Sequence, residues 1–252
     1  MSPIELLIDL HARNERQGPG SDAQTLRAIE MAGLRPSADL AVADLGCGTG
    51  ASALVLARTL GTPVIAIDAE PSFVATLRER ADREGFASLI RPRVGRMESP
   101  PFDDGQLDVI WSEGAIYNIG FEAGVRAWRR FLKPGGVLAI SELSWTTATR
   151  PKDIESYWLR EYPGIDTAAG KIRILEHAGY APIGFFFLPG ECWEARYYTP
   201  LRRGFAAFLE RHGGIEPARK IVEAEEAEIR LYRELGRWYG YGFYLARRCD
   251  AA

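Results

Sequence analysis

Three glycines at alternate positions, Gly46, Gly48 and Gly50, stand in the loop of residues 44–50, DLGCGTG. An apolar, strand-like stretch precedes the loop (residues 40–45) and a helix-like stretch follows it (residues 51–60). Glycine lets the backbone turn tightly from strand to helix, and it leaves bare main chain for a ligand at the helix N-terminus. A second apolar run, residues 64–67, ends at Asp68. That carboxylate comes roughly 20 residues after the loop, the spacing at which an acid meets a ribose diol. The two features together imply a nucleoside-bearing ligand on an α/β sheet.

The elements that must position these residues follow from punctuation and periodicity. Residues 4–10 read as a short amphipathic helix. The breaker run QGPGSD (residues 17–22) comes next, and Ser21 or Asp22 can cap a helix running to about Met31. Pro71 suits the first turn of a helix that runs to Glu84 and stops at Gly85. Strands are expected at residues 89–94, 107–111 and 137–143. A helix at residues 121–132 is halted by Lys133, Pro134, Gly135 and Gly136. Such alternation predicts a doubly wound, mostly parallel sheet. Beyond Trp145 come helices at 151–162 and 167–177, a strand at 183–188, two helices within 200–236 joined near Gly213 and Gly214, and a strand at 239–247.

The chain has 31 basic and 34 acidic residues, a net charge of −3. This argues against a surface built to grip phosphate backbones, so no nucleic-acid partner is expected. The arginine groups (Arg91, Arg93, Arg96; Arg126, Arg129, Arg130) read as solvated faces. Cys47, Cys192 and Cys249 lack paired spacing, which fits a reducing compartment without disulfides and with no metal site. His11, His177 and His212 stand alone and read as helix residues. Glu5, Asp9, His11 and Arg13 break any signal-peptide core, and no run is long and apolar enough to span a bilayer, so the expectation is a cytoplasmic protein with no membrane partner.

Four features in register carry a family resemblance: the DLGCGTG loop, Asp68 after the second strand, the fourth strand LDVIW (residues 107–111), and the turn LKPGG (residues 132–136). The chain resembles class I S-adenosylmethionine (SAM) dependent methyltransferases. The segments WSEGAIYNIGFE (111–122), SELSW (141–145) and YGYGFYLAR (239–247) look like a group of uncharacterised small bacterial small-molecule methyltransferases. The resemblance implies a Rossmann-like methyltransferase fold. Its seven-stranded sheet would be mostly parallel with an antiparallel last strand, and a helical lid would be inserted at about 190–236. One domain is expected over 1–252: a cap at 1–35, a cofactor-binding core at 36–145 and a substrate-side half at 146–252.

The resemblance also implies roles. Gly46, Cys47, Gly48 and Gly50 would line SAM, with Asp44 toward its ammonium end and Asp68 on the ribose. Ala69 and Met97 would bracket the adenine, and Ser112 would belong to the same site. Many relatives place an acid after the third strand to meet the adenine amino group; here Arg96 stands there, and Glu98 or backbone contacts would serve instead. Gly18 and Ser21 would belong to a loop closing over the amino acid end. Glu113, Tyr117 and Asn118 follow the fourth strand where strand ends meet ligands, and Glu142 ends the fifth; these are candidates for substrate positioning or general base.

The expected reaction is methyl transfer to an O, N or S atom of a small-molecule acceptor, with S-adenosylhomocysteine (SAH) as product. The sequence is open to a homodimer. Gly46-x-Gly48-x-x-Ala51 also satisfies a relaxed dinucleotide fingerprint, so an NAD(P)-dependent oxidoreductase is the alternative. A SAM-binding protein that transfers no methyl is another.

Overall fold

Capping chemistry sets the first boundaries. Ser2 Oγ accepts from the Glu5 N–H at 3.2 Å while Glu5 accepts from the Ser2 N–H at 2.7 Å, which starts α1 (Pro3–Ala12). Ser21 caps α2 (Asp22–Met31). The chain then alternates through β1 (Val42–Leu45), α3 (Ala51–Leu60), β2 (Val64–Asp68), α4 (Pro71–Arg83), β3 (Ile90–Val94), β4 (Leu107–Glu113), α5 (Phe121–Trp128) and β5 (Leu132–Trp145). After these come α6 (Lys152–Glu161), the two-residue β6 (Asp166–Thr167), α7 (Ala168–His177), β7 (Tyr180–Phe187), the short α8 (Gly190–Trp193), a π-helical turn (Glu194–Tyr198), α9 (Thr199–Arg211), α10 (Glu216–Leu235) and β8 (Tyr239–Arg248). The computed structural model describes residues 1–249; residues 250–252, the end of the expected 146–252 half, lie outside the described residues.

The sheet runs β3-β2-β1-β4-β5-β8-β7. The pairs from β3 through β5 are parallel, and β8 is antiparallel to both its neighbours. This is the mostly parallel sheet with an antiparallel last strand that the sequence implied, with β6 added as an eighth strand at the end of β5. Strand order reverses between β1 and β4, so the crevice beyond their carboxyl ends is where an open α/β sheet receives ligands.

Helices cover both faces. One core gathers Leu54, Leu56, Val64 and Trp111, and the other gathers Ile110, Trp128, Leu138 and Tyr244. A third lies away from the parallel strands, where Leu6 and Leu10 of α1 pack with Tyr198, Phe205, Phe208 and Ile229 of the helices at 190–235. Each of these two leucines, removed from water, contributes about 1.5–3 kcal/mol. The helical insertion is therefore seated on the N-terminal helix as well as on the sheet.

Two boundaries differ from expectation. The turn at Lys133–Gly136 was expected to stop a helix ahead of a strand at 137; instead α5 ends at Trp128, a 3-10 turn follows, and β5 starts at Leu132. Gly135 takes φ +74° and the pairing register shifts opposite Leu107 and Val109, so the turn is absorbed as an irregularity inside the strand. Similarly, β7 begins at Tyr180 rather than 183, because β7 ends the sheet and an edge strand tolerates Pro182 with a register shift beside it.

At the start of α3, Gly50 holds φ +87°, and a Cβ there would stand 2.0 Å from Leu77 Cδ1 of α4. Gly50→Ala is expected to cost about 2–4 kcal/mol, and the Gly50→Ala/Leu77→Ala pair less than the sum of the single losses. Urea unfolding of the four proteins checks this; simple additivity would show that the Leu77 contact does not set the cost.

Candidate functional site

A cavity of about 650 Å³ opens at the C-terminal ends of β1, β2 and β4, a size typical of small-ligand pockets. Its floor is the glycine loop. Gly46 takes φ +75°, and a Cβ on it would collide with Ala115 Cβ at 2.3 Å and Met97 Cε at 2.7 Å, so the bare backbone is what lets three segments meet there. The N–H groups of Gly46 and Cys47 both donate to the Ile67 carbonyl, at 2.8 and 3.0 Å, tying the loop to the end of β2.

Asp68 stands at that strand end. Its Oδ2 accepts from the Gly48 N–H at 2.8 Å and its Oδ1 from the Glu70 N–H at 2.9 Å. A carboxylate offers about four acceptor positions, so two hydroxyls can still be received. Burial pushes Asp68 up, while the backbone donors pull it back toward the ionised form. Asp44 lies deeper, fully buried under the loop. Its Oδ2 accepts from Ser52 Oγ at 2.7 Å, and its Oδ1 has no hydrogen-bond partner. Burial, opposed by the Ser52 bond and reinforced by Glu113 and Asp68, pushes it up to about 7. Burial likewise pushes the Cys47 thiol up, which makes it a poor nucleophile.

The segment between α1 and α2 crosses the loop as a strap. Gln17 Oε1 accepts from the Thr49 N–H at 2.9 Å, and its Nε2 donates to Thr49 Oγ1 and to the carbonyls of His11 and Asn14. Arg80 of α4 donates to the carbonyls of Glu15 and Thr49, each at 2.9 Å. Arg16 reaches under the strap to Glu113 Oε2 at 3.0 Å and to Asp22 at 3.0 Å. Glu113 Oε1 also accepts from Thr25 Oγ1 at 2.7 Å and from Trp111 Nε1 at 2.9 Å. Burial works against the Arg16 charge, and the carboxylates of Glu113 and Asp22 outweigh it and raise the guanidinium.

Of the residues expected at the site, Gly18, Gly46, Cys47, Gly48, Asp68, Ala69, Met97, Glu98, Glu113, Tyr117 and Asn118 all face this cavity. The others lie elsewhere. Asp44 sits beneath the floor, and Gly50 is spent on the turn against Leu77. Ser112 is fully buried and donates to the Leu45 carbonyl at 2.7 Å, stitching β4 to β1. Ser21 caps α2 and lies 3.6 Å from Cys192 Sγ. Glu142 is fully buried on β5, 3.6 Å from Lys171 Nζ, and does not face the cavity. Glu98 pairs with Arg96 at 2.5 Å.

Arg16, Gln17, Leu7, Ile8, His11 and Tyr197 also line the cavity and were not anticipated there. The polar Gln17 inside the QGPGSD run was the available sign, since a mere breaker needs no glutamine. His11 is a helix residue as expected, and its Nε2 meets Glu225 at 3.1 Å.

Two outcomes follow from these electrostatics. Asp44, raised when folded, favours the folded state at low pH, and that contribution disappears between the unfolded value and about 7. Asp44→Asn should therefore gain melting temperature over the parent, and gain more at pH 8 than at pH 5, in thermal melts of the ligand-free protein. Arg16→Met strands the Glu113 carboxylate, at a cost of about 3 kcal/mol, and should speed amide exchange in residues 13–20. Unchanged exchange there would show that the ion pair does not hold the strap.

Residues 42–136 match the family described as a methyltransferase domain. The chain is 28% identical over 150 residues to methyltransferase GfsG of Streptomyces halstedii, covering 55% of this chain and 54% of that protein. The matches span about half of that relative and about a third of the next curated ones. Among solved structures, a SAM-dependent methyltransferase from Geobacter sulfurreducens in complex with S-adenosyl-L-homocysteine superposes with TM-score 0.83 at 20% identity, covering 96% of this chain and 97% of that one. YjhP from E. coli gives TM-score 0.84 at 20% identity, covering 98% and 100%. At such identities the superpositions establish the fold.

Proposed function

We propose that the chain, whose residues 42–136 match a methyltransferase domain, moves the methyl of SAM to an oxygen, nitrogen or sulfur atom of a small-molecule acceptor. The observation that carries this reading is the pairing of two carboxylates around the glycine loop. Asp68 keeps acceptor capacity at the cavity wall, and Asp44 keeps one buried oxygen without a partner beneath the floor.

The residues present fit the cofactor. Asp68 would receive the ribose hydroxyls, and the backbone of residues 46–48 would lie against the amino acid portion. Asp44 Oδ1 would meet the ammonium group, directly or through one water. Met97 and Ala69 would flank the adenine, with Glu98 free to offer its second oxygen while Arg96 holds the first. The strap carrying Gln17 and Gly18 would cover the amino acid end.

When bound, the cofactor supplies an already activated methyl on a sulfonium. The chain then has to place the nucleophile in line and exclude water, and holding two reactants together can supply much of the rate. Tyr117 and Asn118 stand at the cavity where that placement would occur; Asn118 Nδ2 donates to the Ala115 carbonyl at 2.9 Å, which stiffens its loop. Glu113 is engaged by three donors, so we assign it to holding the strap, and Glu142, buried beside Lys171, to bracing β5 against α7. In this reading residues 1–35 cap the site, 36–145 bind the cofactor, and 146–252 shape the acceptor side, within one domain.

Calorimetric titration with SAM, SAH and NADH tests the reading. SAM and SAH should bind, and Asp68→Ala should weaken both by about tenfold or more. Binding of NADH alone would move the chemistry to hydride transfer. Failure of all three to bind would reject the proposal.

A further inference from the structure

We propose that His11 is the general base of the reaction, set in an apolar acceptor subsite with Leu7, Ile8, Tyr117 and Tyr197, and that the acceptor is a small hydroxyl compound with an apolar body. This deepens the methyl-transfer reading and rests on it.

One cavity holds both parts. Its walls carry the glycine loop and Asp68, and also Leu7, Ile8 and His11 from α1, Tyr117 after β4 and Tyr197 from the π-helical turn. Leu7 and Ile8 stand four and three residues before His11, so the three share one face of α1. Leu6 and Leu10 instead pack with the helices at 190–235. Leu7 is 40% exposed and Tyr117 45%, so apolar surface at the cavity is left for a ligand to cover.

His11 is fixed by contacts on three sides. Its carbonyl accepts from Gln17 Nε2 at 3.2 Å while Gln17 Oε1 accepts from the Thr49 N–H at 2.9 Å, so one side chain ties His11 to the glycine loop. Its ring lies 21° from parallel with that of Tyr197. Its Nε2 meets Glu225 Oε1 of α10 at 3.1 Å. A carboxylate can only accept, so Nε2 carries the proton and Nδ1 the lone pair. Nδ1 has no hydrogen-bond partner, in a residue only 9% exposed. Glu225 Oε2 is also without one, which leaves that carboxylate capacity to hold an imidazolium.

The chemistry follows from what is engaged and what is not. Glu113 and Arg16 hold each other, and Gln17 holds Thr49. His11 keeps a ring nitrogen that can take a proton, and a carboxylate orients the ring from its other side, the arrangement of a base and its orienting group. Apolar walls make a charged acceptor costly to desolvate, and a hydroxyl becomes a good nucleophile only as its proton is taken. As an oxygen lone pair of the acceptor forms the O–CH3 bond, the hydroxyl proton passes to His11 Nδ1. The S–CH3 bond breaks, sulfur keeps the electron pair as a neutral thioether, and the imidazolium stays against Glu225 until it returns the proton to water.

The full-length protein, labelled with 15N-histidine and saturated with SAH, is titrated with phenol and with toluene, which has a methyl in place of the hydroxyl. The His11 imidazole, assigned by its loss in His11→Phe, should show the Nε2–H tautomer, and its Nδ1 resonance should move with phenol and not with toluene. Phenol should bind about fivefold tighter than toluene, and His11→Phe should bring the two within about twofold while leaving SAH affinity unchanged within about twofold. The opposite tautomer, an Nδ1 unmoved by phenol, equal affinity for the two probes, binding of neither, or an unaffected His11→Phe variant would overturn the base assignment. The comparison of phenol with toluene in the parent protein needs no variant, so it stands even if His11→Phe fails to fold. Failure of the parent protein to bind SAH would fail the methyl-transfer reading itself; SAH binding without a phenol preference would fail the His11 subsite alone.

Discussion

The Glu113 carboxylate is held by Arg16 from the strap, Thr25 from α2 and Trp111 from its own strand. These donors arrive from three parts of the chain and converge on a group only 9% exposed. A buried charge must be matched by hydrogen bonds and a counter-charge, or it becomes costly. Satisfying Glu113 therefore requires the strap to close, α2 to dock and β4 to end where it does. With the strap in place, Gln17 reaches Thr49 and the glycine loop acquires a roof. The cavity exists in its present shape because one carboxylate has to be compensated.

The same region concentrates negative charge. Asp44, Asp68 and Glu113 lie at the ends of three adjacent strands, with Arg16 as the countering cation, and each of the other two carboxylates makes Asp44 harder to ionise. A site that holds its acids in this way is under-compensated until a cationic ligand arrives. The sulfonium and ammonium of the proposed cofactor would draw on that excess of negative charge. The acidity is local, since the net charge of the chain is only −3.

The parts of this architecture that rest on local backbone demands were legible in the sequence. The glycine loop, the Asp68 strand end, the strand–helix alternation and the helices within 200–236 all announce themselves through turn chemistry or periodicity. Contacts between distant segments were not. Glu113 read as a candidate base because its partners stand 97 and 88 residues away at Arg16 and Thr25, where no local pattern points. Glu142 gave no sign of Lys171, which approaches it from α7. Tyr197 enters the cavity from a π-helical turn, a conformation that no sequence periodicity marks. The LKPGG turn misled for the opposite reason: its local signal was strong, and the sheet absorbed it.

The position of β8 bears on how such a chain assembles. Among the described residues it follows every other element in chain order, yet it lies between β5 and β7 and hydrogen-bonds along the length of both. Until residues 239–248 have emerged from the ribosome, β5 has an open flank rich in Val, Leu and Ile, and β7 has no strand to join. Open apolar edges of that kind recruit strands from other molecules, and pairings over such sequence distances form slowly. The nascent protein is thus most exposed to misassociation just before its last strand arrives, and the step that seals the sheet also seats Tyr239 and Tyr241 beneath the helices at 190–235.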